Sequence, residues 1–134
     1  MRAAFINIKV EYGAVSVRIN ERNKDGTFQL RKIGSIYFEV PCSEKTAAFV
    51  RAVPEILEQL PEDVEHVHFI GTNQLFNKSA RLQQRLEGSP AQLRIRRLKP
   101  GLPWLRWELT ELINDAIKRK STVWSDISAW GDWT

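Results

Sequence analysis

One cysteine, one methionine and two histidines in 134 residues leave little material for several kinds of chemistry. Cys42 has no second thiol to pair with, so no disulfide frames the fold, and no His or Cys pair shows zinc-ligand spacing. Directly after Pro41, Cys42 is expected to be buried as a small hydrophobe. There is no glycine-rich phosphate loop, no nucleophile elbow and no Ser/His/Asp pattern of diagnostic spacing. Long apolar runs are missing too. The stretch AAFINIKV carries Asn7 and Lys9, so it reads as neither a signal peptide nor a membrane span, and a cytoplasmic protein without membrane contact is expected. No internal repeat or low-complexity tract is visible.

What is present suits one compact domain: 43% hydrophobic and 27% charged side chains, enough for a core. Ala4, Ile6, Ile8 and Val10 alternate with Phe5, Asn7 and Lys9, which predicts a strand. Val15, Val17 and Ile19 continue the alternation in an antiparallel second strand. Asn20–Thr27 reads as a polar turn in which Asp25-Gly26 supplies a positive φ. Residues 33–40 predict strand three, with Ile36, Phe38 and Val40 inward and Ser35, Tyr37 and Glu39 outward; Phe28 and Leu30 can start it earlier. Ser43 is placed to cap a helix reaching about Leu60, with Ala47, Val50, Val53, Ile56, Leu57 and Leu60 on the sheet. Pro54 predicts a kink or a split near Ala52.

The chain then turns on VEHVHFIGTNQLF, residues 64–76. Val64, Val67, Phe69 and Ile70 read as a central strand, Gly71 breaks the run, and Thr72 or Asn73 caps the helix that follows. That helix, about 73–86, buries Leu75 or Phe76, Leu82 and Leu86, and Gly88 closes it. Leu93 and Ile95 define a short fifth strand with Arg94 and Arg96 outward. After the loop KPGLP, Pro103 opens a final helix with Leu105, Leu109, Leu112, Ile113 and Ala116 on one stripe.

The net charge of +4 is unevenly spread. Lys78, Arg81, Arg85, Arg94, Arg96, Arg97, Lys99 and Arg106 face only Glu87 within the same stretch, so the rest of the chain is net acidic. Such an excess is the footprint of a polyanion-binding surface; it is also what a solvated helix face and a guarded edge strand look like. Trp104 and Trp107, beside Arg106, can stack on bases or pack the last helix. Residues 121–134 form a distinct tail after a domain spanning 1–120, with Trp124, Ile127, Trp130 and Trp133 at three-residue spacing. So much aromatic surface either packs on its own domain or docks on a protein partner or a second copy.

The order of elements resembles the ribonuclease H-like fold: α/β, with a five-stranded mixed sheet built from a three-strand antiparallel meander followed by αβαβα. IGTNQLF resembles the stretch that ends strand four and opens the next helix in that family. LRIRRLKPG with Asn114-Asp115-Ala116 resembles its final strand, catalytic loop and last helix. The resemblance implies cleavage of the RNA strand of a hybrid by two divalent metals held between carboxylates. The family's acids would fall near Asn7, near Thr46 and at Thr72 or Asn73, all neutral here, and only Glu111 and Asp115 remain on the last helix. A catalytically degenerate member is therefore expected, with no metal, no other cofactor and no enzymatic activity.

Other constellations are thin. Glu11 and Glu39 could share a sheet face with Lys9 and Tyr37 as acid site or as ordinary cross-strand partners, and His66 and His68 share a strand face without a third metal ligand. The leading expectation is a non-catalytic nucleic-acid-binding or assembly module that contacts phosphates through the eight cations. The alternatives are an interaction module docking through the tryptophan tail, and a metal-dependent nuclease with unconventional carboxylates.

Overall fold

In the computed structural model, which describes residues 2–88, 92–97 and 102–131, alternation along the first three apolar stretches becomes a meander. Strands β1 (Arg2–Val10), β2 (Ala14–Arg22) and β3 (Phe28–Tyr37) pair antiparallel in sequence. Strand β4 (Val64–Gly71) pairs parallel to β1, and β5 (Gln92–Arg97) pairs parallel to β4. Residues 123–126 add a strand the sequence did not reveal: β6 (Val123–Asp126) pairs antiparallel with β3. The sheet therefore has six strands, not five, in the order β5-β4-β1-β2-β3-β6.

Helices cover both faces. On one face lie α1 (Lys45–Glu58), a 3-10 turn (Gln74–Lys78) and α2 (Ser79–Arg85); on the other lies α3 (Pro103–Arg119). The α1 face holds the main core: Ile6, Ile8, Val15, Val17, Ile19 and Phe69 from the strands meet Phe49, Val53 and Ile56 from α1. The Phe49 ring stands edge-on to Phe69 at 5.3 Å and to Phe76 at 5.1 Å. Opposite, Leu105, Leu109, Ile113 and Ala116 bury the stripe of α3, and the buried Ser16 hydroxyl donates to the Leu109 carbonyl at 2.7 Å. Among the described residues no helix is long and apolar enough to cross a membrane.

Several local expectations change. The residue before α1 is Glu44, not Ser43, and its side chain makes no capping hydrogen bond. The helix is continuous through Pro54 and is not split: burial of Ala48, Phe49, Ala52, Val53 and Ile56 holds it where the missing amide would weaken it. Val40 is 72% exposed because β3 ends at Tyr37, where the chain leaves the ladder; the Phe38 amide donates to the Gly13 carbonyl and the Cys42 amide to Tyr12. Cys42 packs against the core. The hairpin loop closes as expected, with Gly26 at φ +87° and the Asp25 carboxylate accepting from the Thr27 amide and hydroxyl. Those bonds hold the Asp25 carboxyl below the usual carboxylate range.

Gly71 does not break β4; it is the strand's last residue. A Cβ there would lie 1.9 Å from the ring of Phe76, so the glycine admits that ring against the strand end. Gly34 does the same for Trp124, whose ring would meet a Cβ at 2.2 Å.

Candidate nucleic-acid interface

Of the positions at which a metal-dependent nuclease needs carboxylates, Asn7 and Thr46 lie on opposite faces of the sheet. Asn7 sits mid-strand on the α3 face and accepts a hydrogen bond from Asn20 Nδ2 at 3.2 Å. Thr46 belongs to α1 on the other face, where it lines a groove with Gln74, Leu75 and Arg81. The two positions do not converge on one rim, because adjacent residues of β1 point to opposite faces and Asn7 falls on the wrong one. At the end of β4 the Thr72 amide donates to the Ile8 carbonyl at 3.0 Å.

Asn73 is not used as a helix cap. Its side-chain amide mimics a backbone unit: Oδ1 accepts from the Val10 amide and Nδ2 donates to the Val10 carbonyl, each at 2.8 Å. Glu11, just past the end of β1, lies between Lys9 and Lys45 at 3.4 Å each, and Glu44 is exposed directly before α1. Glu111 is exposed on α3, and Asp115 pairs with Arg119 one turn on at 2.9 Å. Glu39 is exposed past the end of β3. Among the described residues no group of three His, Cys, Asp or Glu side chains could hold a metal ion. The residues present do not fit a magnesium pair, which needs several unneutralised oxygens within about 4 Å of one another.

The cations are better gathered. Strand β5 is one edge of the sheet, and α2 packs along it, with Gln83 Nε2 donating to the Leu93 carbonyl at 3.1 Å. Lys78, Arg81 and Arg85 are exposed on the helical side of this edge. Arg94 and Arg96 are exposed on the opposite side, next to β4. Arg97 is half-buried, and its Nε has no hydrogen-bond partner among the described residues. Arg106 is exposed on α3, not on the edge, and Lys99 lies outside the described residues. Trp104 is 54% exposed with the Arg18 guanidinium 5.2 Å from its ring, and Trp107 is 67% exposed, so neither packs the helix onto the sheet.

Sequence reasoning gave His66 and His68 no positive role. His68 stacks flat on Phe5, with ring centroids 4.3 Å apart and planes 1° from parallel. Phe28 meets Phe5 edge-on at 4.9 Å. Burial, then the positive charge of Arg94, Arg96, His66 and Arg22, push the His68 imidazole below its ordinary pKa. The outward phase of Phe5 and of the two histidines was readable from alternation; their meeting across β1 and β4 depended on strand register.

The tail lies on its own domain. Trp124 and Trp130 pack against the main core, and Ile127 is half exposed. The Ile127 and Ser128 amides donate to the Arg31 carbonyl, and Ser128 Oγ donates to the Leu30 carbonyl at 2.6 Å. Trp133 lies outside the described residues. Beneath the tail, fully buried Glu21 accepts from Arg31 and from the Gly131 amide at 2.8 Å, with Arg2 as a further ion pair.

Comparison with solved structures finds a similar fold in ribonuclease H1 from the halophilic archaeon Halobacterium salinarum NRC-1. The TM-score is 0.52 at 13% identity, over 87% of this chain and 98% of that one. The fold is ribonuclease H-like. No protein-family model matches the chain, and no curated protein does. Against that fold, β6 is a sixth strand on the β3 edge of the five-stranded sheet expected from the sequence, and α3 is the last helix of the pattern.

Proposed function

We propose that this chain is a non-catalytic nucleic-acid-binding module on a ribonuclease H-like scaffold. The observation that carries it is the pairing of two features on one frame. Cations from α2 and β5 flank a single sheet edge, while Glu11, just past the end of β1, is neutralised by Lys9 and Lys45. Positive charge along an edge draws a phosphate backbone, and without three clustered acids among the described residues the rim lacks the ligands that would set two hard cations against a scissile phosphate.

Docking through the tail draws less support, since Trp124 and Trp130 are turned into the chain's own core. The test is fluorescence anisotropy with labelled duplex DNA, RNA–DNA hybrid and single strands at low and at physiological salt. Binding is expected to weaken steeply with salt, and Arg94→Ala with Arg96→Ala to flatten the slope by about 0.9 for each duplex phosphate that the protein no longer neutralises. Absence of salt-sensitive association with any of these probes would remove the function proposed.

A further inference from the structure

We propose that the part of the α3 face formed by β1, β4, β5 and the hairpin end of β2 and β3 is a stacking platform for a single-stranded oligonucleotide. Bases lie on the Phe5–His68 pair and on Phe28, and phosphates on Arg22, Arg94 and Arg96. This deepens the nucleic-acid reading above and rests on it.

Strand register builds the platform. Arg94 stands beside His68, His68 beside Phe5, and Phe28 beside Arg22 on the next strands. From β5 to β3 the row crosses four strand spacings, about 19 Å, enough for a few nucleotides. Helix α3 packs over β2 and β3 toward Ala14, Ser16 and Tyr37, leaving Phe28 57% exposed and Phe5 and His68 partly exposed. Beside the rings a hollow of about 430 Å³ is lined by Phe5, Arg22, Asn23, His66 and His68.

Three features select this occupant. The rings are already stacked on each other, so a base extends an existing stack with little loss of side-chain freedom. The charges that act on His68 are all positive: Arg94 and Arg96 from β5, His66 from β4 and Arg22 from β2. Asp25, the acid of the neighbouring hairpin, keeps its charge while bonded to Thr27, but it is a single carboxylate against Arg22, Arg94 and Arg96. A polyanion meets attraction there. A duplex buries its base faces within its own stack, whereas a single strand can offer them to the rings.

The experiment measures binding of fluorescein-labelled dT15, and of its duplex with dA15, to the full chain and to Phe28→Ala and His68→Ala. Melting temperatures check folding, and Phe28, being exposed, can be truncated without opening the core. Each variant is expected to weaken dT15 binding by about fivefold to a hundredfold and to leave duplex binding nearly unchanged. Photo-crosslinking with an iodouracil-substituted strand should label peptides holding Phe5, Phe28 or His68. Unchanged dT15 affinity in both variants, or crosslinks confined to α2, would overturn the platform while leaving the nucleic-acid function standing. No binding of dT15 would remove the platform, while binding of the RNA–DNA hybrid would leave the nucleic-acid function standing.

Discussion

Gly71 carries a constraint that its neighbours do not announce. A methyl group there would drive into the Phe76 ring, which is fully buried and joined edge-on to Phe49, so the ring has little room to retreat. Gly71→Ala should destabilise the fold by about 1–3 kcal/mol in a urea titration, the range of overpacked cores. Glu21 is the polar counterpart. Replacing it by Ala takes the shared carboxylate from buried Arg2 and Arg31 and leaves the Gly131 amide without its acceptor, which should cost about 3–5 kcal/mol. His68 gives a pH dependence. Its pKa lies lower folded than unfolded, so between those two values the unfolded chain binds the extra proton. Stability therefore falls as pH drops through about 6.5 and levels off below the folded pKa. Thermal melts of the parent and His68→Phe, run from neutral to mildly acidic pH, should differ in slope within that window.

The elements show which signals survive without coordinates. Period-two alternation marked β1 and β2, and helical spacing marked α3 through Leu105, Leu109, Ile113 and Ala116, because each buries one face against a single neighbour. Strand β6 was missed since it has four residues and its partner β3 lies far back in the chain; nothing local distinguishes it from a tail. Asn73 was misread as a cap because its alternative, pairing with the Val10 backbone, needs β1 alongside β4. The candidate site was half legible: the cations were visible as composition, but the Phe5–His68 stack required register, and Asn7, set near a family acid's position by the resemblance, lies on the α3 face. Removing residues 121–134 deletes β6, bares Gly34 and strips Arg31 of Ser128. That truncation should lower the melting temperature sharply, whereas a tail used only for docking would leave the melt unchanged.

At the scale of the whole molecule, a net charge of +4 is too small to explain polyanion binding by itself; its placement matters more. Cations from α2 and β5 straddle one edge, and the buried charge at Glu21 serves the opposite part of the sheet, where the tail closes over β3. The scaffold thus separates a sealed, cross-braced side from an open, basic one. The most direct measurement incubates the protein with a labelled RNA–DNA hybrid and magnesium, and follows retention and cleavage on the same gel as salt is raised. A retarded, intact hybrid is expected, its retention fading with salt. Magnesium-dependent cleavage that disappears on changing Glu111 or Asp115 would contradict it.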